Sequence, residues 1–240
     1  MAAPFLSIII PAYNEAERLP ATLAQLSAFL RDEAYTAEIV VVDDGSVDGT
    51  AAVVQQAAVA NPAIRLIAAP HRGKGAAVRR GMLAATGQVR LMCDADLSMP
   101  AAELPKLLAP LASGADVALA TREGAGARRI GEPVLRHLMG RVFNLLVRAI
   151  AVPGLQDTQC GFKAFTAASA ELLFSRATVD GFGFDVEILY LARKHGQRLA
   201  EVPIAWYYQP SSRVSPWRDT IRMVRDVLRV RWNDWRGRYA

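Results

Sequence analysis

The sequence predicts an α/β protein with a mostly parallel β-sheet flanked by helices on both faces. Short apolar runs rich in β-branched residues alternate with segments of helical periodicity through the first 121 residues. That alternation is typical of βαβ crossovers, which make neighbouring strands parallel and cover the sheet with helices. The composition, 52% hydrophobic and 21% charged in 240 residues, agrees with a globular protein and excludes a disordered or fibrous one.

Five strands and four helices are predicted in this first part of the chain. Asn14, with Glu17 three residues later, resembles a capping box and is expected to cap the first helix. Asp48 is expected to cap the second helix. The predicted strands are 5–11, 38–42, 64–68, 89–93 and 116–120, and the predicted helices are 14–30, 48–60, 75–85 and 101–111.

The pattern changes after Arg122. Residues 123–132 are rich in glycine and arginine, which predicts a mobile loop that acts as a lid. Helical periodicity then predicts helices at 134–150, 167–174 and 184–195, a strand at 200–207, and a last helix that starts near 216 or 217. We find no linker and no internal repeat, so we expect one domain, 1–240, with segments 1–121, 122–215 and 216–240.

The cysteine count and the apolar runs exclude several classes of protein. Two cysteines, Cys93 and Cys160, are too few for a disulfide framework or a four-cysteine zinc site. No run approaches the ~18 apolar residues of a membrane span. No basic start followed by an apolar run marks a secretory signal. We therefore expect a cytoplasmic protein.

The basic charge is concentrated in the last segment. The net charge is +5, and residues 216–240 hold seven arginines against three aspartates, which is +4. Such a tail indicates a nucleic acid, an anionic membrane surface or a solvated helix face. Trp217, Trp232 and Trp235 among these arginines are typical of a membrane interface, but they suit a helix packed on the domain equally well.

Asp94-Ala95-Asp96 is the sharpest candidate site. It follows a predicted strand, and open α/β sheets bind their ligands at the carboxyl ends of strands. Side chains two residues apart on an extended chain point the same way, so the two carboxylates repel unless a cation lies between them. Mg²⁺ and Mn²⁺ take such oxygen ligands together with substrate phosphates. A polar turn after a strand is the simpler alternative.

Three further segments carry candidate ligand-binding side chains. Asp43 and Asp44 end the second strand, where acids suit hydrogen bonds to ribose hydroxyls or to base N–H groups. Tyr13 offers a stacking face and Glu15 an acceptor after the first strand. Lys74, between two glycines, meets an anion at the start of the third helix or lies in a plain turn. Together these residues describe a nucleotide diphosphate held by a metal.

The motifs also resemble, in order and spacing, those of family-2 glycosyltransferases. The segments concerned are P-A-Y-N-E (11–15), V-V-D-D-G-S-V-D-G-T (41–50), G-K-G-A-A-V-R-R-G-M (73–82), D-A-D (94–96) and T-R (121–122). Three further segments resemble those of the polyprenyl-phosphate branch, and of its glucosyl members in particular. They are D-T-Q-C-G-F-K (157–163), G-F-G-F-D-V-E (181–187) and V-P-I-A-W (202–206). The likeness runs from about residue 5 to residue 230.

The resemblance implies a single GT-A type nucleotide-diphospho-sugar transferase fold and an inverting, metal-dependent hexose transfer. Segment 1–121 would bind the nucleotide-sugar and 122–215 the acceptor. Asp94 and Asp96 would bind Mg²⁺ or Mn²⁺, and the catalytic residues would be Asp96, Arg122 and Asp185. Nucleotide-sugar contacts are implied for Pro11, Tyr13, Glu15, Val42, Asp44, Lys74, Asp94, Ala95 and Asp96, and acceptor or phosphate contacts for Arg122, Lys163, Ser212 and Arg213. Ser98 stands where mannosyl relatives often carry a metal-binding glutamine.

The acceptor decides whether a base is needed. A lipid phosphate needs none, because its oxygen is already anionic near neutral pH. Asp185 lies where hydroxyl-using relatives keep a catalytic carboxylate, so it acts as a base, orients the sugar, or is a structural acid near a helix N-terminus. Lys163 binds phosphate or is simply exposed, and Cys160 is expected to be a packed residue rather than a nucleophile.

We therefore expect glucose transfer from UDP-glucose to a polyprenyl or dolichyl phosphate. The enzyme would be peripheral on the cytoplasmic face of a membrane, which it meets through its C-terminal helix. Mannose transfer from GDP-mannose and transfer to a soluble hydroxyl acceptor, with Asp185 as base, remain alternatives. A nucleic-acid-binding module is the alternative of another class; no nucleic-acid partner is expected, because the strands lack a base-stacking face.

Overall fold

A seven-stranded sheet forms the centre of the protein in a computed structural model that describes residues 3–209 and 216–240. In sheet order its strands are β3, β2, β1, β4, β7, β5 and β8. Their bounds are β1 Leu6–Ala12, β2 Ala37–Asp43, β3 Ile64–Ala68, β4 Val89–Met92, β5 Val117–Thr121, β7 Lys163–Thr166 and β8 Leu199–Pro203. Two short strands, β6 (Arg128–Ile130) and β9 (Ala205–Tyr207), pair in a second sheet.

The strands are parallel except where β7 pairs with its neighbours, which confirms the predicted α/β class. β7 runs antiparallel to both β4 and β5. The helices are α1 Leu19–Arg31, α2 Thr50–Ala60, α3 Lys74–Ala84, α4 Leu104–Ala112, α5 Val134–Ile150, α6 Ala167–Arg176, α7 Phe184–Lys194 and α8 Pro216–Trp235. A single 3₁₀ turn, Ala101–Glu103, leads into α4.

Each face of the sheet has its own apolar core, because side chains alternate along a strand. In β1, Ile9 belongs to one core, and Ile8 and Ile10 belong to the other. Helices α3, α6 and α7 close the first core, to which α5 and α8 contribute Val147 and Val230. Helices α1, α2 and α4 close the second. The helices therefore cover both faces, as the alternation of the sequence predicts.

Two strand predictions were wrong in the second half of the chain. The sequence analysis did not find β7, because its buried Lys163 interrupts an otherwise apolar run and mimics a solvent-exposed segment. The predicted strand at 200–207 is two strands: β8 pairs with β5, whereas β9 pairs with β6.

The predicted cap of the first helix was also wrong. Helix α1 begins at Leu19 and not near Asn14, whose φ of 54° lies in the left-handed region. The Asn14 side chain instead accepts a hydrogen bond from the Val47 backbone N–H at 2.9 Å. Asparagine and aspartate tolerate this conformation better than other non-glycine residues, because their short polar side chains form local hydrogen bonds. Asn14 therefore shapes the turn that ends β1 and fixes it to the turn after β2.

Asp48 lies one residue before the cap position of α2, which Gly49 occupies with a φ of 89°. Its carboxylate still accepts hydrogen bonds from the backbone N–H groups of Thr50 and Ala16, both at 3.1 Å. The predicted interaction with the start of α2 is thus present, although the helix begins two residues later than Asp48.

The segment predicted to be a mobile loop contains β6, so the loop prediction was wrong for residues 128–130. The Arg129 guanidinium forms ion pairs with Glu123 and Glu132, each at 2.6 Å. These pairs hold both ends of the segment to its own strand.

The end of the chain is fixed to α7 by a buried polar network. Glu187, fully buried in α7, accepts hydrogen bonds from the backbone N–H groups of Thr178 at 2.9 Å and Val179 at 2.8 Å. The Tyr239 hydroxyl donates to the same carboxylate, and Asn233 Nδ2 donates to Thr178 Oγ1 at 3.0 Å. The residues after α8 are therefore part of the folded core.

Replacing Tyr239 with Phe removes one donor to the buried Glu187 carboxylate and leaves the ring in place. We expect the free energy of unfolding to fall by about 1.5–3 kcal/mol, the usual contribution of a hydrogen bond to a charged group. Urea denaturation followed by circular dichroism measures the change. Tyr207→Phe, at an exposed tyrosine, is the matched control and should be neutral. Equal stability of Y239F and the wild type would show that the Tyr239 hydroxyl contributes nothing to folding.

Candidate active site

The carboxyl ends of β2, β1 and β4 meet at one edge of the sheet. β1 pairs in parallel register with β2 on one side, with Ala12 opposite Asp43, and with β4 on the other, with Ile9 opposite Met92. The segments that follow these strands are therefore neighbours. The sequence analysis placed its nucleotide and metal candidates at this edge, and the structure brings them together there.

Lys74 is the positive charge that faces the D-A-D segment. Its Nζ lies 2.6 Å from Asp94 Oδ1, and both side chains are partly accessible. Burial alone would lower the pKa of the Lys74 ammonium, but the carboxylates of Asp94, Asp185 and Asp96 outweigh burial and raise that pKa. Lys74 therefore stays charged and offsets part of the repulsion between the carboxylates. Lys74 is the first residue of α3, which begins one residue earlier than the predicted helix 75–85, and its contact in this structure is the Asp94 carboxylate.

The backbone after Asp94 makes a tight turn. Leu97 has a φ of 43°, in the left-handed region, and the Ser98 N–H donates to Asp96 Oδ1 at 3.0 Å. The carbonyl of the buried Ala95 accepts a hydrogen bond from the Thr22 hydroxyl at 2.6 Å. The Thr22 bond fixes the D-A-D segment to α1, and the Ser98 bond closes the turn on the Asp96 side chain.

Gly161 gives Asp94 the room it needs. A Cβ at position 161 would lie 1.9 Å from Asp94 Oδ2, closer than any two such atoms approach. The residue precedes β7, which pairs with β4, so the glycine and the carboxylate face each other across neighbouring strands. Any larger residue here would displace the Asp94 carboxylate.

The D-A-D carboxylates fit a hard divalent cation. They are oxygen donors at a strand end, partly open to solvent, with a turn that holds them in place. Within residues 3–209 and 216–240, no group of three or more His, Cys, Asp and Glu side chains is gathered as a metal site made of protein alone would require. Mg²⁺ and Mn²⁺ commonly take one or two carboxylates and complete their shell with water and phosphate oxygens. Asp94 and Asp96 suit that arrangement.

Asp44 organises the loop that leads into α3. Its carboxylate accepts hydrogen bonds from the backbone N–H groups of Arg72 at 3.0 Å and Gly73 at 2.8 Å. His71 Nδ1 lies 2.8 Å from the same carboxylate. The neighbouring Asp43 accepts from the Ser46 N–H at 3.0 Å. Both acids are buried and shape loops in this structure, whereas the sequence analysis had assigned them hydrogen bonds to ribose hydroxyls or to base N–H groups.

The other predicted nucleotide contacts lie at the ends of β1 and β2. Tyr13 is 40% exposed and stacks on His71, with ring centroids 4.1 Å apart. Glu15 lies 3.1 Å from Arg18 at the entrance to α1. Pro11 is partly buried, and Val42 is fully buried in the core. The Val42 side chain therefore packs within the protein, and a ligand could meet only the backbone at that position.

Arg122 is held by the neighbouring loop and by an aromatic ring. Its Nε and Nη2 donate to the two carboxylate oxygens of Asp157 at 2.7 and 2.9 Å. The guanidinium carbon also lies 5.3 Å from the centre of the Trp206 ring. Burial would raise the pKa of the Asp157 carboxyl, but the Arg122 guanidinium outweighs burial and holds that pKa well below its usual range. The pair is therefore charged across the neutral range.

Lys163 and Asp185 form a second buried ion pair. Lys163 Nζ lies 2.6 Å from Asp185 Oδ1 and also donates to the Cys160 carbonyl at 2.6 Å. The side chain of Lys163 is only 1% exposed, so the interpretation that it is a simple exposed lysine was wrong. Burial raises the pKa of the Asp185 carboxyl, although the ammonium groups of Lys163 and Lys74 oppose the shift.

The cysteines are packed thiols, as expected for Cys160. Burial raises the pKa of the Cys160 thiol to about 11, and it raises the pKa of Cys93 well above its ordinary value. Neither thiol ionises near neutral pH, which excludes a thiolate nucleophile at either position. Ser212 and Arg213, the remaining predicted acceptor contacts, lie outside the described residues.

Several residues of the site were missed by sequence reasoning. Asp157 and Trp206 lie within motifs that carried the resemblance, but no role followed for either from the motif alone. Gly161 lies in the same motif as Asp157, and only the structure shows what it faces. His71 precedes the Arg-Gly-Lys-Gly loop, and the sequence offered no signal that it stacks on Tyr13.

Fold and site together define a glycosyltransferase. Residues 7–171 match the family described as Glycosyl transferase family 2, and the chain belongs to that family. Curated proteins similar to this chain include dolichyl-phosphate β-glucosyltransferases. That of Dictyostelium discoideum is 34% identical over 95% of this chain and 74% of its own length. The human protein is 34% identical over 94% and 74%, and the Saccharomyces cerevisiae protein is 33% identical over 95% and 74%.

Solved structures of similar fold confirm the GT-A type. Mannosyl-3-phosphoglycerate synthase from Rubrobacter xylanophilus superposes with a TM-score of 0.71 over 98% of this chain and 75% of its own, at 22% identity. Glucosyl-3-phosphoglycerate synthase from Mycobacterium tuberculosis, in complex with UDP, gives a TM-score of 0.68 over 95% and 80%, at 21% identity. At these identities the likeness concerns the fold.

Gly161→Ala tests whether the space beside Asp94 matters for catalysis. The added methyl group would push the carboxylate away, and a displacement of about 1 Å can lower an enzymatic rate by about a hundredfold. We expect that loss in the sugar-transfer rate, with the unfolding temperature little changed. Gly140→Ala, where an added Cβ would meet nothing within 4 Å, is the control and should keep full activity. An active G161A variant would refute the argument.

Asp157→Asn tests the charged pair with Arg122. Removing one partner of a buried ion pair commonly costs about 3–5 kcal/mol, so the variant should be less stable by that amount at pH 7. Because the folded pKa of Asp157 is depressed, its contribution is complete above the unfolded value of 3.8 and is lost as the pH falls toward the folded value. Denaturation of both proteins between pH 7 and pH 3 should show that the difference in their free energies of unfolding decreases below about pH 4. A difference that stays constant with pH would contradict a charged Asp157–Arg122 pair.

Proposed function

We propose that the protein transfers glucose from UDP-glucose to a polyprenyl or dolichyl phosphate, with inversion and with Mg²⁺ or Mn²⁺. The observation that carries the proposal is the D-A-D turn at the end of β4, faced by Lys74 at 2.6 Å, in a chain similar along most of its length to dolichyl-phosphate β-glucosyltransferases. The identity of these relatives favours glucose and a dolichyl-type phosphate over the other sugars and acceptors.

The donor would lie across the edge formed by β2, β1 and β4. Tyr13, on the loop after β1, would offer its ring to the base, and the loop held by Asp44 would border the same pocket. Asp94 and Asp96 would bind the cation together with the diphosphate. That cation, when bound, supplies Lewis-acid neutralisation of the charge that grows on the departing diphosphate. Lys74 would add a fixed positive charge beside the same oxygens.

The acceptor phosphate would be positioned by arginine. Arg122 presents a guanidinium whose orientation is fixed by Asp157 on one edge and by Trp206 on one face. The bidentate pair uses Nε and Nη2, so Nη1 takes no part in it. A fixed guanidinium binds a phosphate oxygen with little loss of side-chain entropy. The protein's task would then be orientation and charge balance, since an anionic phosphate attacks without a base.

Asp185 fits a positioning role better than the role of a base. Its carboxylate is buried and is bonded to Lys163, and it lies within electrostatic range of Lys74. A general base must reach the proton of a hydroxyl acceptor, and this carboxylate is directed toward the ammonium of Lys163. Transfer to a hydroxyl acceptor, which needs Asp185 as a base, is therefore the second candidate. Lys163, which is paired with Asp185, would orient that carboxylate and would not bind a phosphate.

The proposed place of action is a membrane surface on the cytoplasmic side. No helix among the described residues has the length and apolar character to cross a bilayer. In α8 the side chains of Leu228, Trp232 and Trp235 are 50% to 76% exposed and lie among arginines, which suits an interface with anionic lipid. The C-terminal helix would thereby bring the enzyme to its lipid acceptor.

A donor screen tests the reaction. The purified chain would be incubated with Mg²⁺ or Mn²⁺, a short-chain polyprenyl phosphate, and one of UDP-glucose, UDP-GlcNAc, UDP-galactose or GDP-mannose. We expect lipid-dependent release of UDP and formation of a glycolipid with UDP-glucose alone. Asp96→Ala should abolish both products, whereas Asp32→Ala, at an exposed acid after α1, should leave them unchanged.

Two results would overturn the proposal. Turnover of GDP-mannose instead of UDP-glucose would move the protein to the mannosyl alternative. Turnover that a soluble hydroxyl acceptor supports and a lipid phosphate does not, and that Asp185→Asn abolishes, would establish the second candidate.

A further inference from the structure

Helix α5 carries an apolar face that nothing in the described chain covers. Leu135, Leu138, Val142 and Leu145, at spacings of three and four, form one stripe along the helix, and Val134 precedes Leu135 at its start. Soluble proteins seldom expose a contiguous apolar surface of this length unless it has a partner. The exposed fractions are 84% for Val134, 70% for Leu135, 59% for Leu138, 63% for Val142 and 65% for Leu145.

The opposite side of α5 fixes the helix to the protein. Val147 is fully buried in the core shared with α7 and α8. Asn144 donates through Nδ2 to the Gln156 carbonyl and accepts from the Thr158 hydroxyl at 3.0 Å. The helix is therefore anchored in one rotation about its axis, and that rotation directs the apolar stripe away from the protein.

The charges on α5 are all positive. Arg136, Arg141 and Arg148 flank the stripe, and residues 134–150 contain no acid. A symmetric contact with a second copy of this chain would bring two such sets of arginines together, which opposes dimerisation through this face. An apolar stripe between arginines instead matches the boundary between acyl chains and anionic headgroups.

Two polar contacts with Glu123 connect α5 to the arginine that we expect to bind the acceptor. Arg141 and His137, both on α5, lie 3.2 and 3.4 Å from the Glu123 carboxylate. Glu123 directly follows Arg122 and is also paired with Arg129, whose guanidinium lies over the Trp206 ring. The same ring packs against Arg122. The position of α5 is thus coupled to the position of Arg122.

We propose that α5 lies in the interface of an anionic phospholipid bilayer, with its apolar stripe among the acyl chains and its arginines at the headgroups. The role of this contact rests on the proposed function: binding of α5 to the membrane would hold Arg122 at the depth of a lipid phosphate. The inference assigns the principal membrane contact to α5, whereas the sequence analysis named the C-terminal helix for that contact. The exposed tryptophans of α8, which packs against α5, add a second contact.

Vesicle binding tests the assignment without any sugar donor. The full chain and its variants would be floated with vesicles of phosphatidylcholine mixed equally with phosphatidylglycerol, and with vesicles of phosphatidylcholine alone. The triple variant Leu135→Gln, Leu138→Gln and Val142→Gln removes the centre of the stripe and keeps good helix formers. We expect its partition to anionic vesicles to fall by at least about tenfold, since buried apolar area sets interfacial binding.

The matched control places the same change elsewhere. Val47→Gln, Val59→Gln and Leu83→Gln alter three exposed apolar side chains on other elements, and vesicle binding should be unchanged. Circular dichroism of both triple variants verifies that they are folded. With a water-soluble short-chain acceptor, the α5 variant should keep the wild-type rate, whereas with a long-chain acceptor in vesicles its rate should fall in parallel with binding.

Other outcomes overturn the inference. It fails if the wild type does not bind anionic vesicles, if it binds neutral vesicles equally well, or if the α5 variant binds like the wild type. A wild-type dimer in sedimentation analysis that the α5 variant abolishes, without vesicle binding, would make the stripe a self-association surface. Failure of the glycosyl-transfer proposal is recognised separately, because it would abolish turnover with every acceptor and leave flotation unaffected.

Discussion

Two carboxylates at the end of one strand repel each other unless a positive charge lies beside them. The elements that surround the site are arranged so that this charge is in place. Asp94 and Asp96 come from β4, whereas the ammonium that faces them comes from the first residue of α3. The approach of α3 requires Gly75, where a Cβ would lie 2.5 Å from the Val179 carbonyl. The electrostatic environment that we propose for a diphosphate is therefore assembled by the packing of α3 against β4 and the loop at Val179.

Residues of the second half of the chain hold the segments on either side of Lys74. Asp180 receives the guanidinium groups of Arg72 at 2.7 Å and Arg79 at 2.9 Å, which lie on either side of Lys74 in the sequence. The segment that carries Asp180 is in turn held by the buried Glu187 carboxylate. A chain of hydrogen bonds and ion pairs thus leads from Tyr239, through Glu187 and Asp180, to the loop before α3.

The sequence predicted what depends on local pattern and missed what depends on distant contacts. Alternating apolar runs and helical periodicity located β1 to β5 and the helices, because burial of one face requires those periods whatever the tertiary fold. The edge that gathers Tyr13, Asp44 and Asp94 followed from the parallel arrangement alone. β7 could not be found in this way, since Lys163 is buried only because Asp185, on a distant helix, pairs with it. Asn14 has the composition of a cap, but its bond to Val47 decides its conformation.

The antiparallel strand β7 has a consequence for how this protein is made. It lies between β4 and β5 in the sheet, although β5 precedes it in the sequence. A nascent chain that has reached residue 121 possesses β5 but cannot attach it to β4, because the strand that belongs between them has not yet been synthesised. Strands β5 and β8 can therefore join the sheet only after β7 has been made, whereas β3, β2, β1 and β4 pair with one another without it, so the order of the strands in the sheet sets the order in which the two sides of the sheet can form.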